Sequence, residues 1–314
     1  MRIIESSVSE ICESDPQKQI ELVARTCYKS EDKITDTSNK VICKSLYNNK
    51  HWAMLEHYVF VYEIIKECEF KIPVFDYFNS QRFVNTTLHN VDGSYRYVIS
   101  FSARSLLDIL EDCGRRDTWE AKYQAEVVEN LIEKVIYDYN CEDIFGNHFP
   151  RTNHHNYVKV DVSTLSAEEQ FIHEWHTFKF VTDRGVSHEL VRHRTASFAQ
   201  ESTRYCNYSQ DKFGKELTFI KPANFDIFSN TAQTLFQSNC LNVEWMYLRM
   251  LEEGLTPQQA RAILPNSIKT EIVVTANAKE WNHIGNLRLR GLTGSPHPDM
   301  LELMKKLKEL YPEL

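Results

Sequence analysis

Three observations predict a mixed fold of helices and strands: amphipathic helical periodicity near both ends, runs rich in β-branched and aromatic residues, and a corner at Asp183-Arg184-Gly185 joining the two types. In the first helix, expected over Gln17–Tyr28, Ile20, Val23, Ala24 and Cys27 recur at helical spacing, and a second follows over Lys40–Asn48. From His57 to Ile64 the pattern turns to Tyr58, Val59, Phe60, Val61 and Tyr62, which favours a strand. Tyr95–Phe101 reads as another strand, Ala103–Glu111 as a helix and Trp119–Tyr139 as a longer one, while Asn147–Asn156 and Thr164–Glu169 read as irregular.

The alternation at His176–Val181 predicts a strand leading into a short helix over Val186–Arg192. Thr256-Pro257-Gln258-Gln259 has the capping residue, the proline and the reciprocal glutamine of a helix start, and that helix is expected to carry Arg261. Ile268–Ala276 is a further strand, after which Asn277 caps a helix with Glu280 as its partner and with Trp281, Ile284 and Arg288 on one face. A last amphipathic helix over Pro298–Leu310 turns Met300, Leu301, Met304 and Leu307 inward.

With 314 residues and 42% hydrophobic content, the chain can build a large core without covalent staples. The net charge of −8 gives no general attraction for polyanions, so an anionic ligand must be held by a local cluster of cations. Eight scattered cysteines without a CxxC pair or a secretory leader point to reduced thiols and a cytoplasmic location, and the lack of a long apolar run points away from membranes.

The densest chemistry is Arg192-His193-Arg194-Thr195-Ala196-Ser197-Phe198-Ala199-Gln200-Glu201-Ser202-Thr203-Arg204-Tyr205. Guanidinium forks match phosphate oxygens, and the hydroxyls and amides between them suit a base or ribose; a solvated basic turn is the plainer reading. A nucleic-acid module built on Arg184, Arg192, Arg194 and Arg204, with Phe198 and Tyr205 for stacking, lacks the extended basic track such binding uses. A metal-dependent hydrolase using His173 and His176, or His148 with His154 and His155, lacks the His-Glu-x-x-His spacing.

Arg-His-Arg followed after seven residues by Ser resembles the signature of flavin-dependent thymidylate synthases, and Arg192–Ser202 matches it in full. Ala24-Arg25-Thr26-Cys27-Tyr28, His51-Trp52-Ala53-Met54-Leu55-Glu56-His57, Ala260-Arg261-Ala262-Ile263-Leu264-Pro265 and Asn277-Ala278 through Arg288, with His297, resemble further segments of that family in order. The resemblance covers roughly residues 20–65 and 175–305, making 66–170 an insertion within a single 1–314 domain, to which no chemistry is assigned.

The resemblance implies an α/β (α+β) fold with a central, mainly antiparallel sheet packed with helices. It also implies a homotetramer whose sites, shared between subunits, convert dUMP to dTMP. FAD is the implied cofactor, NADPH and methylenetetrahydrofolate the co-substrates, and no metal, protein nucleophile, nucleic acid or membrane is involved. Carried over by position, the cofactor contacts are His51, Ala53, Glu56, Arg192, His193, Arg194, Gln200, Asn277, Ala278, Lys279 and His283. Glu189, Arg192, Gln200, Glu201, Ser202, Thr203, Arg204, Arg261 and Arg288 fall around the nucleotide, with Arg288 as the catalytic residue activating the uracil. Glu189, Lys279, His283 and Ala53 stand where the family more often has Gln, Arg, Asn and Ser or Thr.

Overall fold

The computed structural model describes residues 1–66, 77–91, 94–146 and 157–314. In chain order its elements are β1 (Arg2–Ile4), β2 (Ser7–Glu10), α1 (Pro16–Tyr28), α2 (Ser38–Asn48), β3 (Val59–Lys66), β4 (Val84–Val91), β5 (Ser94–Ser102), α3 (Ala103–Gly114), α4 (Trp119–Tyr139) and α5 (Glu142–Phe145). There follow β6 (Tyr157–Lys159), α6 (Ala167–His173), β7 (Trp175–Asp183), α7 (Arg184–Leu190), β8 (Ser197–Gln200), β9 (Thr218–Ile220), α8 (Asn230–Glu252), α9 (Pro257–Ala260), β10 (Lys269–Asn277), α10 (Ala278–Arg288) and α11 (Pro298–Leu310).

Two antiparallel four-stranded sheets carry the fold, one ordered β2-β7-β10-β8 and the other β4-β5-β3-β6, with a small parallel pair of β1 and β9 beside them. The fold is therefore mixed and mainly antiparallel, but its strands divide between two sheets where a single central one was expected.

Strand β10 lies inside the first sheet and is buried along nearly its whole length, so both of its faces need partners. Side chains alternate across a strand. Ile272, Val274 and Ala276 join Phe178, Phe180, Trp281 and Ile284, together with Met300, Leu303, Met304 and Leu307 of α11. On the opposite face Val273 meets Ala199, and Val23 and Cys27 of α1. Leu303 is therefore an inward residue of α11, whereas Leu301, expected there, is only half-buried because the helix axis turns it to the edge.

Helix α1 serves two layers. Asp15 caps it by accepting from Gln17 N at 2.8 Å, and Pro16 occupies the first turn, where its missing N–H is harmless. Ile20 and Ala24, four residues apart, face the second core with Cys43 and Leu46 of α2, Phe60, Tyr62, Tyr97, Ile99 and Phe101 of the second sheet, and apolar residues of α3 and α4. Much of the 66–170 stretch thus builds a sheet-and-helix layer that shares its core with α1 and α2.

The layers also meet through buried polar contacts. His57, fully buried, bonds Thr275 at 2.8 Å, Thr275 bonds Thr177 at 2.8 Å, and Gln19 donates to His57 O at 2.6 Å. Burial pushes the His57 imidazole down to about 3, so it is neutral in ordinary buffers and acts as a structural tie. Among the described residues no helix is long and apolar enough to cross a membrane.

At the start of β10, Glu271 is gripped by Lys29 at 2.5 Å, Lys269 at 2.5 Å and Lys179 at 2.7 Å. Burial opposes ionisation of this carboxyl, but the charges and hydrogen bonds of the lysines prevail and hold it far below the usual carboxylate range. A depressed folded-state pKa stabilises the fold above the unfolded value, and that contribution fades as acid protonates the group. Glu271→Gln should therefore lower the melting temperature at pH 7, and its gap to wild type should narrow as pH drops below about 4. Thermal melts across pH check this, and a constant gap would refute it. Trp281→Ala, which empties a fully buried site, should cost about 3–5 kcal/mol in urea denaturation.

Candidate active site

The motif around residues 192–205 is a turn and an edge strand held between α7 and β10. Asp183 starts α7 by accepting from Val186 N at 2.8 Å. The helix ends at Leu190, earlier than expected, because successive turns take over: Arg192 N donates to Glu189 O at 3.3 Å, His193 N to Leu190 O at 3.1 Å and Ala196 N to His193 O at 3.1 Å. These turns bury His193 while leaving Arg192 and Arg194 exposed on either side of it. Strand β8 then pairs with β10, fixing Gln200 opposite Ile272.

The end of α10 brings Arg288 to this turn. Its Nη1 pairs with Glu189 Oε2 at 2.8 Å, Nη2 donates to Glu189 O at 3.2 Å, and Nε donates to His193 Nε2 at 3.3 Å. Since Nε2 accepts, a neutral His193 carries its proton on Nδ1, which lies 3.3 Å from Glu280 Oε1. His283 completes the group, its ring edge-on to His193 at 5.8 Å. Burial opposes ionisation of Glu280, yet hydrogen bonds from His193 and Thr195 and the nearby imidazoles hold its carboxyl below the usual range. Potential ligand atoms of His193, Glu280 and His283 lie within 4.8 Å of one another, but both His193 nitrogens already have partners.

The beginning of α10 needs its own polar groups. Asn277 Oδ1 accepts from Glu280 N at 2.9 Å and its Nδ2 donates to Ile172 O at 3.0 Å, while Ala278 N donates to Glu174 O at 2.9 Å. The expected cap is present, but Glu280 turns its side chain to His193 instead of returning it to Asn277. Lys279 and His283 are exposed, the latter beside the buried His193 ring.

A second group forms where the chain leaves β8. Arg261 Nη1 donates to Thr203 Oγ1 at 3.4 Å, and Arg204 lies over the Tyr205 ring at 5.5 Å. Tyr205 meets Tyr28 edge-on at 6.2 Å, and Tyr28 OH lies 3.5 Å from His51 Nδ1. Ser202 N donates to Cys27 O at 3.2 Å, so the end of α1 supports this loop directly. Arg261 caps the four-residue α9 and opens a short turn of tighter helix, so it sits just beyond the helix expected to carry it.

Other site candidates are committed to the scaffold. Gln200 Nε2 donates to Ser187 Oγ at 2.8 Å and Thr270 Oγ1 at 3.1 Å, and buried Glu201 is held by Lys269 at 2.9 Å and Tyr208 at 3.1 Å. Ala53 is exposed, whereas Glu56 is buried and paired with Arg104 at 2.5 Å. Burial raises the Glu56 carboxyl despite a hydrogen bond from Ser197 and the charges of Arg104 and Arg82. Sequence reasoning passed over Arg104 and Arg82 because both lie in the inserted stretch, outside any recognised motif.

The charges divide these arginines into two kinds. Arg25, Arg96, Arg104 and Arg288 are paired with carboxylates, whereas Arg192, Arg194, Arg204 and Arg261 form no ion pair among the described residues. Among the described residues His173 and His176 do not come together as a metal-binding group. His173 ends α6 and is buried against Ser100 at 2.9 Å and Thr87 at 3.1 Å, while His176 belongs to β7; burial pushes His173 down to about 4. His148, His154 and His155 lie outside the described residues.

Residues 155–313, half of the chain, match the family model described as Thymidylate synthase complementing protein, and the chain belongs to this family. A flavin-dependent thymidylate synthase of Geobacter sulfurreducens is 33% identical over 127 residues, covering 40% of this chain and 53% of that protein. Proteins of the same name from Pyrococcus horikoshii and Pyrococcus abyssi are 36% identical over 155 residues and 33% over 177, covering 47% and 55% of this chain and 63% and 64% of theirs. The matched stretches thus span between about half and two thirds of these relatives.

The Arg288–Glu189 pair is partly solvated, and such pairs add about 0–1 kcal/mol. Glu189→Gln should therefore change urea-denaturation stability by less than about 1 kcal/mol. A loss above about 3 kcal/mol would mark the pair as a buried structural bridge.

Proposed function

We propose that this chain is a flavin-dependent thymidylate synthase that methylates dUMP to dTMP, with methylenetetrahydrofolate as carbon donor and NADPH-reduced FAD as hydride donor. The observation that carries this reading is the Arg192–Ser202 motif folded as a turn, whose exposed arginines have no carboxylate partner among the described residues of an acidic chain. Cationic groups left without internal partners suit phosphate-bearing ligands, and family membership gives the class of reaction.

Bound FAD, reduced by NADPH, supplies the hydride that turns the folate-derived methylene into a methyl group. Arg192 and Arg194 hold this cofactor with Lys279, His283, His51 and Ala53, while His193, Gln200, Asn277, Ala278 and Glu56, buried or bonded within the scaffold, position those contacts. Ser202, Thr203, Arg204, Arg261 and Arg192 hold the nucleotide, while Gln200 and Glu201 act through their places in the scaffold and Glu189 through Arg288. Arg288 stabilises negative charge as uracil electron density shifts toward carbon 5. To do so it must exchange Glu189 for the base, so Glu189 keeps the guanidinium in position and neutralised until the nucleotide arrives.

No protein nucleophile is required, and Cys27 is unsuited to the role: burial, with Cys206 and Glu201 nearby, pushes its thiol up to about 12. The active unit is a cytoplasmic homotetramer with sites shared between subunits, acting without nucleic acid or membrane. Each subunit is one domain, with 66–170 as an insertion.

Purified chain given dUMP, FAD, NADPH and methylenetetrahydrofolate should form dTMP, and Arg288→Ala should reduce kcat at least about 100-fold. Absence of product from folded wild type overturns the proposal, and full activity in the variant removes Arg288 from catalysis. Arg204→Ala should weaken dUMP binding about tenfold or more while leaving the flavin content unchanged. Calorimetry and the flavin absorption spectrum measure the two, and light scattering that shows a monomer would refute the shared sites.

A further inference from the structure

A cleft of about 500 Å³ opens between the inserted stretch and the Arg-His-Arg turn, lined among others by Arg82, Phe83, Asn85, Trp175, Arg194 and Thr195. Its size is that of a small-molecule site. No acidic side chain is among the residues lining it, although the chain as a whole carries a net charge of −8. Two arginines line this space, Arg194 from the motif and Arg82 from the insertion; neither forms an ion pair among the described residues, although the charge of Arg82 is felt by the Glu56 carboxyl.

Arg82 is held in place by other groups. Its Nη2 donates to Arg194 O at 3.2 Å, and its guanidinium lies over the Phe83 ring at 4.5 Å. Ser105, in the first turn of α3, donates to Arg82 O at 3.0 Å and Phe83 O at 3.3 Å. Phe83 has a φ of 60°, a left-handed conformation that is disfavoured for a bulky residue. The surroundings therefore hold this turn against its own preference. Trp175 also lines the cleft, and its Nε1 is buried with no hydrogen-bond partner among the described residues.

We propose that Arg82 and Arg194 together form an anion-binding cleft for the pyrophosphate of a dinucleotide, so that the inserted stretch is part of the cofactor site. The inference rests on the flavin reading for the identity of the ligand, but the cleft itself can be tested without it. FAD and NADPH both carry a pyrophosphate, and the geometry of the cleft suits that shared group. Arg82 is a binding residue in this arrangement, its guanidinium offering five N–H donors of which Nη2 also bonds Arg194 O.

The full chain is titrated by calorimetry with inorganic pyrophosphate, FAD and NADPH, as wild type and as Arg82→Gln, Arg82→Lys and Arg115→Gln. Arg115 is an exposed arginine near the end of α3, paired with Glu111 at 3.5 Å, and controls for the loss of a positive charge elsewhere. Arg82→Gln should weaken pyrophosphate and one of the dinucleotides at least about tenfold, Arg82→Lys should recover part of the loss, and Arg115→Gln should bind as wild type does. The dinucleotide that shares the loss identifies the occupant. Unchanged binding of pyrophosphate, or of both dinucleotides, in Arg82→Gln overturns the proposal, as does wild type that binds no pyrophosphate at millimolar concentration. If wild type binds no FAD but its pyrophosphate affinity depends on Arg82, the flavin reading fails and the anion cleft stands.

Discussion

The contact on which the layers depend is the buried polar chain from Gln19 through His57 to Thr275 and Thr177. It joins α1, the turn before β3 and the two middle strands of the first sheet, elements that apolar packing alone could let slide. Hydrogen bonds in a dry interior are directional, and leaving one unmade there is expensive, so they fix position as well as proximity. From that joint the His51–Glu56 turn is held beside β8, and β8 presents the arginine motif at the sheet edge.

Charge is distributed with the same economy. Carboxylates neutralise the cations that hold the scaffold, such as Lys29, Lys269 and Arg104, and among the described residues none pairs with the motif arginines. Arg288 lies between these conditions because its carboxylate partner, Glu189, meets it at a partly solvated site. A glutamine at 189 could hydrogen-bond the guanidinium without neutralising it. Glutamate instead holds Arg288 in an ion pair, so any anion or base that engages this guanidinium has to displace a carboxylate first.

Much of this could be read from the residues. The helices over Trp119–Tyr139 and Pro298–Leu310 have the expected bounds because each carries a regular apolar stripe and a clear start. The long α8 was not legible: only Cys240, Val243 and Tyr247 are buried along it, so its sequence shows no apolar stripe of the usual width. Strand β8 is four residues long and lies inside a motif read for its chemistry, which hid its pairing with β10. The motif also gave the residue types of the site but not their partners. Engagement of Arg288 by Glu189 and burial of Glu201 against Lys269 join distant parts of the chain, and spacing along the sequence does not reveal such contacts.

The alternating faces of β10 also guard its alignment. A slip by one residue would drive the Glu271 carboxylate into the aromatic layer around Trp281 and turn Ile272 toward the lysines. An uncompensated charge in hydrocarbon is far less tolerable than a misplaced methyl group. A misaligned strand is therefore rejected by electrostatics before packing is complete, and the arginine turn on the neighbouring strand inherits that fidelity.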